Sequence, residues 1–264
     1  VLESDYTATI NLLKASGHSS IKHLMTHFSH SFFKIKDGDK THRQYSKFLE
    51  FKELLINSKI TLESSSVSNS GAIEQQFGLD EIRYYLMKEV MYGLDGKINI
   101  DNLKNCINSD LANNIGNLSQ RIFVLVNKYF DCNVPDPKIL SDEDNNLIDF
   151  PIENLKKTMS NFEIHNYIRE VIAYSSRINK FVNDEEPWSK AKNSDPRVGA
   201  ILYISLNALK NIFILLHPVM PSKAEHYLSC LNIDKKNISL DSISQNLVPG
   251  AELKMPGIMF KKYI

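Results

Sequence analysis

The chain is 264 residues long, enough for one large or two small domains, each with its own core. Hydrophobic residues at 42% and charged residues at 23% are ordinary for a soluble globular protein, and Lys+Arg 31 balance Asp+Glu 31. That balance excludes a strong overall basic field, and with it tight non-specific binding to nucleic acid or an anionic membrane, while leaving room for a local basic face.

Residues 1–72 are dense in Ser, His and Lys, and their apolar periodicity is patchy. No apolar run follows Val1 to Asp5, so no signal peptide opens here, and a start on Val1 rather than Met suggests a fragment. His23, His27 and His30 stand at i, i+4 and i+7, a spacing that would line three imidazoles along one helical face. A zinc site could use it, but no Cys, carboxylate or HExxH context supports one, so they read as surface histidines. Ser64 to Ser70 (SSSVSNS) reads as a linker or a poorly folded segment.

From Gly71 onward the pattern sharpens. Asp80 can cap a helix whose apolar stripe is Ile82, Tyr85, Leu86 and Val90, closed by Gly93 and Gly96. Asp101 to Phe130 predicts one long helix, with Ile107, Leu111, Ile115, Leu118, Ile122, Leu125 and Tyr129 on its buried face. The single Gly116 within it costs about 1 kcal/mol against Ala. A second row, Asn113, Asn117 and Arg121, recurs every fourth residue. On spacing alone that row fits the solvated face of a bundle helix. Two carboxamides and a guanidinium in line could equally donate to and accept from the edges of unpaired bases.

Pro135 and Pro137 end the long helix, and Asp142-Glu143-Asp144 supplies an acidic first turn for another, which Pro151 splits in two. Phe162 to Asn183 is again periodic and runs into NDEEPWSKAK. The only tryptophan, Trp188, therefore sits at a helix junction, as a core plug or as an aromatic platform for an unpaired base. Pro196 to Leu216 predicts the next helix. The most apolar run, Ala200 to Met220, includes Asn207, Lys210 and Asn211, which favours a buried core helix over a membrane span. Ser222 to Glu225 reads as a capping box for a helix ending near Leu231, and Asp234 to Ile264 as an irregular docking tail. Cys106, Cys132 and Cys230 are far apart and odd in number, which points to a reducing compartment without a disulfide framework. No nucleotide-binding glycine loop and no nucleophile elbow is present. The fold class read from these elements is mainly α.

Several of these stretches resemble the C-terminal half of methionyl-tRNA synthetase. FGLDEIRYYLMKEV (Phe77 to Val90) looks like the segment where that family's stem-contact region begins. INSDLANNIGNLSQR (Ile107 to Arg121) resembles its first anticodon-domain helix, and NDEEPWSKAK (Asn183 to Lys192) its Pro-Trp corner. HPVMPSKAEHYLSCL (His217 to Leu231) and PGIMFKKYI are similar to its closing helices and the end of its core. The resemblance runs in order from Gly71 to Ile264. It implies a helical bundle of the class I aminoacyl-tRNA synthetase anticodon-binding type, with an irregular or poorly ordered N-terminal segment. The implied organisation is an unassigned segment 1–72, a stem-contact-like region 73–100, and an anticodon-binding domain with its tail over 101–264.

The resemblance also implies roles. Trp188 would stack on the first base of a CAU anticodon, Pro187 would shape its loop, and Asn117 and Arg121 would bond anticodon bases with Asn113 beside them. Phosphates would fall to lysines such as Lys128, Lys190 or Lys192. The implied partner is the anticodon stem-loop of tRNA(Met), in the cytoplasm and without a membrane. The family's His-Ile-Gly-His signature and Lys-Met-Ser-Lys-Ser loop are not in the sequence, and Lys59 to Ser64 is at most a degenerate echo of the loop. Residues 1–72 resemble no part of the catalytic domain and read as foreign sequence. The expectation is therefore a truncated or degenerate methionine–tRNA ligase, inactive alone, with no cofactor of its own, since ATP and zinc belong to the family's catalytic domain. The alternatives are a non-RNA helical module, a functionless remnant, or the anticodon domain of another class I synthetase.

Overall fold

The most apolar run of the sequence is the axis of the larger of two compact units. In the computed structural model, which describes residues 6–17, 19–27, 40–68, 77–93, 98–138 and 140–263, the chain divides into two compact units, Val1–Leu79 and Asp80–Ile264.

Unit 1 contains helix α1 (Tyr6–Ala15), strand β1 (Ser20–His27), helix α2 (Lys40–Asn57) and strand β2 (Thr61–Ser68). The strands pair in parallel, with Ser20 opposite Thr61 and His27 opposite Ser68, and α2 lies between them in sequence. Tyr6 and Ile10 of α1 join Phe51 and Leu55 of α2 and Ile60 in a small buried cluster, where the Tyr6 and Phe51 rings stack at 4.6 Å. Over the described residues, then, the segment expected to be irregular has regular elements. His23 and His27 lie in a strand rather than on a helical face, and His30 lies outside the described residues. Most of the serine stretch is β2, with Ser70 outside the described residues. Strand β2 lacks apolar alternation, and its partner is some forty residues away in sequence, so no local signal announced it.

Unit 2 is a helical bundle. Its helices are α3 (Leu79–Glu89), α4 (Ile100–Cys106), a π-helical segment (Ile107–Gly116), α5 (Asn117–Phe130), α6 (Asp142–Ile148), α7 (Ile152–Ser160), α8 (Ile164–Glu185), α9 (Pro187–Lys192), α10 (Arg197–Leu216) and α11 (Pro221–Cys230). Every residue of α10 from Val198 to Leu216 is buried, and α5, α6, α8, α9 and α11 pack around it. This is the one described helix long and apolar enough to cross a membrane, and it is enclosed by the bundle.

The polar residues of α10 hold the irregular parts of the unit. Asn211 Nδ2 donates to Ile148 O (2.9 Å), Asn207 Oδ1 accepts from Leu247 N (2.8 Å), and Lys210 Nζ donates to the carbonyls of Ser242 (2.9 Å), Ile243 and Gln245. A buried polar group with such partners avoids the desolvation penalty of an orphan. Burial still draws the Lys210 ammonium down to about 8. Gly199 is needed for a close approach, since a Cβ there would lie 2.8 Å from Asp136 O.

Helix starts follow elementary rules, with one correction. Ser141 caps α6 in a reciprocal box with Asp144, as the acidic first turn suggests. The box expected at Ser222 to Glu225 is absent: α11 begins at Pro221 without a side-chain cap of its own. Asp80 serves it from another helix, its Oδ2 accepting from Lys223 N at 2.7 Å. The tail zips onto the unit through Val134 N to Ala251 O (2.9 Å), Leu253 N to Cys132 O (2.7 Å) and Lys254 N to Cys230 O (2.9 Å).

Candidate nucleic-acid interface

The helix predicted over 101–130 is three pieces on one continuous path. Asn99 caps α4 by accepting from Asn102 N at 3.0 Å. From Ile107 the winding widens to i→i+5, and the amide of Asn117 still bonds back to Ala112 O. A π segment is rare and is frequently found at functional sites. It also rotates the buried face. Ile107, Leu111, Ile115, Leu118 and Ile122 are buried as expected, but Phe123 and Val126 replace Leu125 and Tyr129 beyond them. The segment is anchored at its start, where Lys88 Nζ lies 2.7 Å and Tyr84 OH 2.8 Å from Asp110 Oδ2. Burial pushes the neighbouring Cys106 thiol up to about 12, so it is no nucleophile near neutral pH.

Along this path Asn113 and Asn117 are exposed and Arg121 is half-buried. Asn113 and Asn117 line a groove of about 580 Å³ with Gln120 and the tail residues Gly257 to Lys262. Arg121 turns the other way, towards α8, where Nη1 donates to Asn183 Oδ1 and Nη2 to Asn179 Oδ1, each at 2.8 Å. Asn179 in turn donates to Asn114 Oδ1 (2.7 Å), which also accepts from Ser175 Oγ (2.9 Å). Amide oxygens thus orient the guanidinium without neutralising it, and among the described residues no carboxylate pairs with it. Burial lowers its pKa, and its Nε is enclosed without a partner among the described residues. By contrast Arg197 is fully engaged, gripping Asp144 with two 2.6 Å bonds, and those bonds hold the Asp144 carboxyl down at about 2.

The run that begins at Asn183 leads into the Pro-Trp corner. Glu186 takes a left-handed conformation (φ 44°) between α8 and α9, Pro187 is buried as the first residue of α9, and Trp188 is half-buried. Lys190 Nζ closes the corner by donating to Glu185 O (2.7 Å) and Glu185 Oε2 (3.0 Å). It is therefore occupied within the protein, whereas Lys128 and Lys192 are exposed.

Arg121 is thus tied through Asn179 and Asn183 to α8, the helix that leads into the Trp188 corner, while Asn113 and Asn117 open onto the groove against the tail. Sequence spacing missed Asn114, Gln120, Asn179 and Asn183. Asn179 and Asn183 stand four residues apart on α8, so a search for a second polar row facing the first would have found them. The site offers an uncompensated cation, carboxamide edges and an indole.

Comparison with known proteins agrees with this architecture. Residues 122–264 match the family profile described as the anticodon binding domain of methionyl tRNA ligase, and residues 54–123 match that of class I tRNA synthetases (M). Residues 1–87 match a third, that of the N-terminal domain of alanine racemase. The chain is 30% identical over 211 residues to a methionine–tRNA ligase of Brucella suis, covering 78% of this chain and 41% of the relative. It is 31% identical over 215 residues to that of Caldanaerobacter subterraneus, covering 79% of this chain and 34% of the relative. The chain therefore spans about two fifths or less of the length of these relatives. The crystal structure of apo Mycobacterium tuberculosis methionyl-tRNA synthetase superposes with a TM-score of 0.70 at 25% identity, covering 86% of this chain and 52% of that one. A self-contained bundle, its Pro-Trp corner and a match over more than half of its residues lead to one conclusion: this chain belongs to the family of the methionyl tRNA ligase anticodon-binding domain.

Proposed function

We propose that unit 2 binds tRNA(Met) in the cytoplasm and reads the CAU anticodon with Asn113, Asn117, Arg121, Pro187 and Trp188. The observation that carries this reading is Arg121, held by Asn179 and Asn183 yet left with its charge uncompensated among the described residues. A cation fixed by the carboxamides of Asn179 and Asn183 suits unstacked loop bases, which are recognised along their edges and stacked on an aromatic face. In this reading Pro187 is the buried pivot that sets the angle of Trp188, and the left-handed Glu186 makes the pivot possible. In this reading the chain acts as a recognition module and takes no cofactor of its own.

The test is a titration of the purified chain with fluorescent tRNA hairpins at near-physiological salt, comparing CAU with a scrambled loop. CAU should bind more tightly. Trp188→Ala should weaken that binding by about 1–3 kcal/mol, with the helical circular dichroism retained. Asn117→Ala should reduce the preference for CAU. Equal binding of both hairpins by the wild-type chain would sink the reading.

A further inference from the structure

The groove beside the polar row has a second wall that the roles above do not use. One side carries Asn113, Asn117 and Gln120, and the other is the tail from Gly257 to Lys262. At about 580 Å³ it falls within the roughly 300–1,000 Å³ typical of ligand sites. Its lining includes Lys261 and Lys262 and no carboxylate.

This tail is a built surface. Asn108 clasps the backbone of Tyr263 from both sides, donating from Nδ2 to its carbonyl (2.7 Å) and accepting from its amide (2.9 Å). Lys223 Nζ donates to Met259 O at 2.7 Å, and His226 Nε2 lies 3.1 Å from Pro256 O. Phe260 is buried and sits close enough to Gly116 that a Cβ there would be 3.4 Å from its ring. With Met259 and Phe260 anchored inward, Lys261 and Lys262 are exposed. Among the described residues neither lysine engages a carboxylate, whereas Lys88 and Lys190 are held by Asp110 and Glu185.

We propose that the tail segment Gly257–Lys262 is the second wall of the RNA site, with Lys261 and Lys262 contacting the phosphates that flank the bases read by Asn113 and Asn117. The inference rests on the tRNA-binding reading of the same groove and extends it from base edges to backbone. Phosphate contacts position a nucleic acid and carry salt dependence, whereas base contacts carry specificity, so the two walls should be separable by experiment.

The variant K261Q/K262Q is titrated with CAU and scrambled hairpins across a salt series, beside the wild type, N117A and the charge-retaining K261R/K262R. The double glutamine variant should bind both hairpins more weakly by the same factor, and its slope of log affinity against log salt should fall by about 1–2. K261R/K262R should keep the wild-type slope, and N117A should change the CAU preference at an unchanged slope. A K261Q/K262Q slope equal to wild type, with CAU preference present, overturns the second wall and leaves the anticodon reading standing. A reduced slope with no CAU preference in the wild type upholds the lysine contacts and sinks the anticodon reading. A wild-type chain that binds neither hairpin overturns both.

Discussion

The two units solve the burial problem on different scales. Unit 2 turns on a helix enclosed along almost its whole length, with aromatic rings stacked beside it, as Phe213 and Tyr227 do at 3.9 Å. Unit 1 gathers Tyr6, Ile10, Phe51, Leu55 and Ile60 around two helices, and among the described residues its parallel sheet has two strands. Parallel strands are normally covered on both faces within larger sheets, so among the described residues that cluster is the part of unit 1 where a truncation should be felt most. The largest expected effects sharpen this contrast. Leu209→Ala, at a fully buried position of α10, should destabilise the bundle by about 2–5 kcal/mol in urea unfolding. Leu55→Ala is equally buried, but hydrogen exchange should show its effect confined to unit 1, with the bundle transition unmoved. A bundle midpoint shifted as far by Leu55→Ala as by Leu209→Ala would show that the units unfold as one.

Arg121 and Arg197, two of the arginines of unit 2, are held in different ways. Arg197 is spent on structure, its guanidinium gripping an Asp144 carboxylate that also accepts from Ser141 N at 3.0 Å. Asp144→Asn should therefore cost about 1–3 kcal/mol near neutral pH. Because these bonds depress the folded-state pKa to about 2, the contribution is complete above the ordinary carboxylate value of about 3.9 and disappears as pH falls through about 2. Urea midpoints of wild type and variant should converge on acidification, and a gap undiminished at pH 2 would place the stabilisation elsewhere. Arg121, oriented only by amides, has no such acid-sensitive partner among the described residues.

Legibility followed locality. The period of α8, the buried α10 and the break at Pro151 were all written in neighbouring residues, and the structure has them where the pattern put them. The elements that escaped depend on distant partners. Strand β2 is defined by β1, and the amide of Lys223 is served by Asp80. Asn113, Asn117, Arg121 and Trp188 stood out by spacing and rarity, but the groove wall did not, because Asn108 meets Tyr263 across most of unit 2. The π winding was invisible for another reason: a helix of either pitch buries Ile107, Leu111 and Ile115, and only the shift to Phe123 and Val126 tells them apart.

The smallest predicted effect puts these two ways of reasoning in direct opposition. Propensity says that Gly116→Ala should stabilise the helix by about 1 kcal/mol. The structure says otherwise, because the added Cβ would lie 3.0 Å from Leu111 O, inside the widened turn, and 3.4 Å from the Phe260 ring. Overpacking of this kind costs about 1–3 kcal/mol, which outweighs the propensity gain by roughly 1 kcal/mol. The bundle should therefore lose about 2–4 °C in Tm. Phe260 should also be displaced from the groove wall, so Gly116→Ala should weaken hairpin binding more than its stability loss alone accounts for. A higher Tm with unchanged binding would mean that the turn relaxes to α-helical pitch without disturbing the tail, and would sever the π segment from the site.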